Sequence, residues 1–402
     1  MIFFIKKLDP NGKKISYFDS FEDIAEAVEY IEAEGSIPIE VKPIPKIFSP
    51  FLAVFLKPKI KKETIVELLE NFYLIIKSGI PIQTAIEDMI KENKNPYIKK
   101  MLKDISITLQ KGHSFSNALE RYTKYFTKFI VSLIKIGEQT GNLETTLKNG
   151  AEFLKKIEDL KKRFKQAMIY PTFAFMAILG AMLVWLLYVL PKIIAFFKEM
   201  DVELPTLTVM VMNFSEFMQN YFVYFLVFFI FLIGVIAYSL KYEKFKYFFD
   251  KTMLKVPLLN KFIVYFNSAY FSEYVKLTIS SGLPLLEGLK TLQENTSNLV
   301  FKEAVEKIIS DIQKGLSISE AIKNVKLYPL YMERMIAIGE DTGELENQLN
   351  LIGEYYHSKI DYMAQNISKV IEPALLIILA VFIAVIMLSI FGPLYTMIGK
   401  IQ

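Results

Sequence analysis

The sequence predicts a mainly α, polytopic membrane protein: two repeated cytoplasmic helical-bundle domains and three transmembrane helices, with a small N-terminal α+β module. Three observations carry this prediction. Charged residues vanish from three long apolar runs, a set of glycine-centred motifs occurs twice in the same order, and residues 1–46 alone alternate with the period of strands. Composition agrees, because a 402-residue chain that is 52% hydrophobic and 14% aromatic is too apolar for an ordinary soluble enzyme.

Composition also removes whole classes of function. The net charge is only +4 and the lysines are dispersed, which argues against a nucleic-acid binder. The absence of cysteine excludes disulfides, zinc–thiolate sites, iron–sulfur clusters and thiol nucleophiles. The two histidines, His113 and His357, lie far apart, and each is read as a surface or capping residue, with no metal and no cofactor expected.

From the N-terminus, Met1–Lys7 is too short in its apolar part to be a secretory signal, so this end is expected to stay in the cytoplasm. Phe3–Leu8 and Lys14–Phe18 alternate around Asp9-Pro10-Asn11-Gly12, a hairpin signal. Ser20 and Asp23 then cap a helix ending at Gly35, and Pro38–Ile44 reads as a third strand. Residues 47–60 form a proline-marked linker whose apolar stretch, Ile47–Leu56, is too short to span a bilayer.

The first helical repeat, 61–166, is followed by a span at 167–191, a loop at 192–216 and a second span at 217–240. A basic connector, 241–264, leads to the second repeat, 265–371, and the last span, 372–399. Each apolar run is long enough to cross about 30 Å of hydrocarbon as a helix. The flanks around Lys161-Lys162-Arg163 and from Lys241 to Lys255 are basic, whereas the intervening loop carries Glu199, Asp201, Glu203 and Glu216. By the positive-inside rule that loop is outside, the N-terminus and both repeats are cytoplasmic, and the C-terminus is periplasmic.

Three paired motifs define the repeat. Ser78-Gly79-Ile80-Pro81 recurs as Ser281-Gly282-Leu283-Pro284, and Lys111-Gly112-His113-Ser114 as Lys314-Gly315-Leu316-Ser317. Gly137-Glu138-Gln139-Thr140-Gly141 recurs as Gly339-Glu340-Asp341-Thr342-Gly343, and Pro171 is matched by Pro373. Each reads as helix punctuation. Gly79 and Gly282 end one helix in the left-handed conformation, with Pro81 and Pro284 in the first turn of the next. Gly112 and Gly315 stop another helix, and Ser317 with Glu320 forms a capping box where the first repeat has Asn117. The third motif predicts a tight turn, with Glu138 and Glu340 satisfying nearby backbone N–H groups in preference to a partner. Leu68, Phe72, Ile75 and Ile76, and their counterparts Phe271, Val275, Thr278 and Ile279, form helical stripes expected in the core.

With these motifs doubled and each set followed by a span, the chain resembles the type II secretion system protein F and type IV pilus assembly protein C family over nearly its whole length. Leu204-Pro205-Thr206-Leu207-Thr208 adds to the likeness; the third span, Leu375–Ile390, departs from it by lacking glycine. The resemblance implies a non-enzymatic platform in the bacterial inner membrane that couples a hexameric secretion ATPase to pilin or pseudopilin subunits. It also implies contact with other inner-membrane assembly proteins and membrane lipid, and self-association as a homo-oligomer. The residues are compatible with that role: there is no phosphate-binding Gly-x-x-x-x-Gly-Lys-Ser/Thr loop, so energy must come from a partner. A transporter or channel would place ionisable groups mid-membrane, and the nearest, Glu372, stands at the entrance of the third span. A prepilin-processing protease would need paired intramembrane aspartates, which the sequence lacks. A membrane receptor or adaptor would differ only in its partners.

Overall fold

A computed structural model describes residues 2–8, 12–20, 23–33, 36–44, 60–93, 95–200 and 204–401. The N-terminal module is a three-stranded antiparallel sheet with one helix. β1 (Ile2–Leu8) lies between β2 (Lys14–Ser20) and β3 (Ile37–Pro43), and α1 (Ile24–Ala33) covers one face. Phe3 and Ile5, two apart on β1, point to the same face and bury against Ala27 and Ile31 of α1. Asp9 to Asn11 of the expected hairpin turn, the cap region around residues 21–22, Gly35 and the apolar linker stretch 47–56 lie outside the described residues.

The first repeat comprises α2 (Lys62–Lys77), α3 (Ile82–Glu92), α4 (Pro96–Gln110), α5 (Phe115–Glu120), α6 (Thr123–Thr140) and α7 (Leu143–Ala167). α8 (Ile169–Val184), one π turn (Trp185–Val189) and α9 (Leu190–Glu199) continue the axis of α7 toward the membrane. α10 (Thr206–Ser239) returns and α11 (Glu243–Met253) connects. The second repeat is α12 (Pro257–Ser280), α13 (Leu285–Asn295), α14 (Leu299–Gln313), α15 (Ile318–Val325), α16 (Leu330–Thr342) and the start of the 57-residue α17 (Leu345–Ile401).

Among the described residues, three helical stretches are long and apolar enough to cross a membrane: Leu143–Phe197, Thr206–Ser239 and Leu345–Tyr395. Helix therefore fills most of residues 192–216, where a loop was expected. Scanning for missing charge finds the apolar centre of a helix and not the amphipathic turns that extend it. Beyond Asn220 the side chains of α10 are exposed almost all round, as suits a helix that faces lipid.

The spans meet near one end, where Trp185, Leu190 and Ile194 pack with Phe382 and Ile386 of α17. The π turn has a local cause. Leu190 N–H donates to Trp185 C=O, five residues back, and the next carbonyl, that of Leu186, would then look to residue 191, a proline with no N–H. Ser215 Oγ of α10 donates to that carbonyl at 2.5 Å, so a backbone acceptor left without a helical partner is satisfied by the neighbouring helix.

Candidate functional site: the seam between the two repeats

The motif residues set the helix ends. In α2, Gly79 has φ +75°, its N–H donates to Ile76 C=O, and Ile80 N–H donates to Ile75 C=O. Gly282, Gly112 and Gly315 end α12, α4 and α14 with the same pair of bonds. Pro81 and Pro284 stand one residue before the first turn, at the N-cap. Pro171 is buried near the start of α8, and Pro373 lies inside α17.

The third motif is a helix end, with Gly137 and Glu138 still helical and Gly141 in the left-handed conformation after α6. Gly343 does the same after α16. The two carboxylates do serve backbone N–H groups, but on a neighbouring helix. Glu138 accepts from Phe115 N–H at 2.5 Å and Ser116 N–H at 2.9 Å. Glu340 accepts from Ile318 N–H at 2.5 Å, Ser319 N–H at 3.0 Å and the Ser319 hydroxyl. Each thus ties the end of one helix to the orphan donors at the start of another.

Gly137 and Gly339 are close-approach positions. A Cβ on Gly137 would lie 2.0 Å from Thr146 Oγ1, and one on Gly339 2.8 Å from the Cα of Leu345. Gly339→Ala should therefore destabilise by about 1–3 kcal/mol, because backbone must move, and trimming Gln348 should not rescue it. Gly137→Ala meets only a side chain, and adding Thr146→Ala should restore most of its loss. Thermal melts of the four variants check this.

The repeats do not have separate cores. One apolar cluster runs from Ile65 and Phe72 of the first through Phe129 and Phe153 to Tyr274, Ile308 and Ile352 of the second. At the seam Phe129 of α6 stacks on Tyr274 of α12, ring centroids 3.7 Å apart, and Phe153 of α7 meets Tyr274 edge-on at 5.6 Å. A cleft of about 260 Å³ opens beside them between Leu154, Ile157 and Lys161 of α7 and Phe266 and Tyr270 of α12.

Buried charge crosses this seam. Glu273 of α12 is 3% exposed and takes Lys156 of α7 and Lys276 of its own helix, each at 2.9 Å. His357 Nε2 of α17 lies 3.7 Å away, and Gly353, one turn earlier, leaves room: a Cβ there would come within 3.0 Å of the Glu273 carboxylate. Seven residues beyond Lys156 on α7, Arg163 pairs with Asp361 of α17 at 2.6 Å. Burial alone would raise the Glu273 carboxyl, but Lys276 and then Lys156 more than offset it and hold it below the ordinary value. Burial pushes the His357 imidazole down, against the attraction of Glu273.

His357 is thus not the surface or capping residue expected. It is 23% exposed and faces Glu273, a carboxylate that belongs to none of the repeated motifs. Glu273 left a faint signal: a lone acid between Phe271, Tyr274 and Val275, inside a helix face otherwise made of core residues. Lys276 lies three residues along the same helix, but Lys156 and His357 come from helices more than 80 residues away, so spacing does not reveal the seam.

Both shifts have the same sign for stability. The folded state holds fewer protons than the unfolded state at each group, so stability is full above the ordinary values and declines as pH falls through the folded ones. The seam should begin to weaken below about pH 6.5, as unfolded chains protonate His357, and weaken again below about pH 4.5 as Glu273 is neutralised. His357→Gln should remove the upper step alone in a pH series of melts.

Two fused helical lobes, with α7 and α17 each continuing unbroken or nearly so into a span, define a duplicated, membrane-anchored helical scaffold. The chain belongs to the family described as type II secretion system (T2SS), protein F, which matches residues 68–191 and again 271–393. It is 27% identical to the type IV pilus assembly protein PilC of Pseudomonas aeruginosa over 342 residues, 84% of this chain and 90% of that one. It is 23% identical to the type II secretion system protein F of Vibrio cholerae over 394 residues, 98% of this chain and 97% of that one. With the PilC of Thermus thermophilus it shares 24% identity over 402 residues, covering 99% and 98%.

Proposed function

We propose that this chain is the non-enzymatic inner-membrane platform of a type IV pilus or type II secretion machine. It couples a hexameric cytoplasmic ATPase to the assembly of pilin or pseudopilin subunits. The N-terminus and both repeats face the cytoplasm and the C-terminus faces the periplasm. The observation that carries this reading is mechanical. Both repeats share one core, and two helices of that core, α7 and α17, run on into spans. At about 1.5 Å per residue, a stretch such as Leu345–Tyr395 is a rod on the order of 75 Å long. A displacement of the fused lobes is therefore delivered to the membrane along the continuous helix α17 and across the single residue Met168 that separates α7 from α8. The relatives named for pilus assembly and type II secretion support the same role.

Mild cross-linking in the native host, followed by purification of this chain, tests the reading. Recovery of a secretion ATPase together with pilin-like subunits is expected, and the pilin's identity tells which machine is served. Repeated recovery of neither overturns the platform role. A reporter fused after Gln402 that proves cytoplasmic overturns the orientation.

A further inference from the structure

The two repeats differ in the charges they carry at one matching corner. In the second, Asp311 near the end of α14 accepts from Asn324 Nδ2 at 3.1 Å and from Lys314 Nζ at 3.4 Å. Glu320 accepts from Ser317 N–H at 3.1 Å, closing the capping box. The corner is filled by the chain's own carboxylates.

At the corresponding corner of the first repeat, Asp311 is replaced by Thr108 and Glu320 by Asn117. Of the cationic and amide groups around them, Lys314 and Asn324 are matched by Lys111 and Arg121, Leu316 gives way to His113, and Lys307, which donates to the Asn324 carbonyl, gives way to Asp104. These side chains line an open cleft of about 290 Å³ between α4 and α5. Lys111, His113, Asn117 and Arg121 are all exposed there. The one carboxylate on its wall, Asp104, is engaged by the Tyr122 hydroxyl.

We propose that this cleft of the first repeat is a binding site for a carboxylate side chain supplied in trans, carried by an acidic segment of a partner protein. The occupant's chemistry is read from the chain itself, since Asp311 and Glu320 are what fill the same framework in the second copy. Lys111 and Arg121 are the anchors, because charge-assisted bonds to a carboxylate are the stronger ones and Arg can bind both oxygens. The proposal deepens the platform reading by giving its cytoplasmic bundle a docking point.

The test uses the full-length purified protein in lipid nanodiscs and a fluorescein-labelled hexaglutamate peptide, with hexaglutamine as the uncharged control. Saturable binding of hexaglutamate alone is expected. Lys111→Ala with Arg121→Ala should weaken it at least about tenfold, as loss of bonds to charged groups does. Lys91→Ala with Lys124→Ala, which removes the same charge elsewhere on the first repeat, should leave it unchanged. Thr108→Asp with Asn117→Glu, which copies the second repeat's self-filled corner, should abolish binding while preserving the far-UV circular dichroism and the melt. Equal weakening in both lysine and arginine sets, or full binding by the self-filled variant, overturns the proposal. Displacement of the peptide by less than its own concentration of inorganic phosphate also overturns it and assigns the cleft to a phosphate group. None of these readouts involves the host machine, so they fail or succeed separately from the cross-linking experiment.

Discussion

Glu273→Ala is expected to cost about 1–3 kcal/mol and to loosen the seam between the two repeats, less than the full penalty for breaking a buried pair because the ammonium groups left behind, 42% and 20% exposed, can be solvated. Without the carboxylate, the ammonium groups of Lys156 and Lys276, each now 2.9 Å from it, face one another across the seam. Removing both ends of the inter-repeat pair, Glu273→Met with Lys156→Met, should recover more than half of that loss. Apolar replacements of buried pairs are often neutral where single removals are not. The chain has no cysteine, so the seam can be read by introducing Lys128→Cys and Glu294→Cys, whose native side chains pair at 3.0 Å, and bridging them with a short bismaleimide, which spans the gap left by the longer native side chains. Bismaleimide cross-linking of that pair should fall with Glu273→Ala and return in the double methionine variant. If the double variant melts as low as the single, the seam depends on packing around Tyr274 and not on charge.

The second large effect is expected at the clamps. Glu340→Ala removes an acceptor shared by two backbone N–H groups and one hydroxyl, and should cost about 2–4 kcal/mol, since each buried donor left without a partner costs about 1–3. Glu138→Ala removes an acceptor from two N–H groups and should cost less. Glu340→Gln should fall between wild type and Ala, because the amide keeps one carbonyl oxygen for the helix start. Equilibrium urea unfolding of the purified protein ranks the three. A Glu138 variant more damaging than its Glu340 counterpart would show that the two clamps are not equivalent in the way their hydrogen bonds indicate.

These two sites were unequally visible in the sequence. Glu138 and Glu340 stood out because they recur inside a motif, and their service to backbone N–H groups was foreseen. Which helix they serve was not, since the donors lie more than 20 residues back and only folding of α5 onto α6 brings them within reach. Glu273, Lys156 and His357 come from three helices and share no local pattern. A charge is recognised as buried only when its surroundings are known.

The sequence by itself determined the elements: helix ends at glycines that need positive φ, the doubled order of motifs, three apolar stretches long enough for a membrane, and the core stripes containing Phe72 and Phe271. All of these are consequences of local backbone sterics and of the helical period, which neighbouring residues carry between them. The tertiary structure alone decided that the two repeats share one core, that a carboxylate sits inside their seam, and that Ser215 of a neighbouring helix satisfies the Leu186 carbonyl. Those outcomes depend on contacts between residues far apart along the chain, and hydrophobic patterning says which faces will be buried without saying which face each will meet.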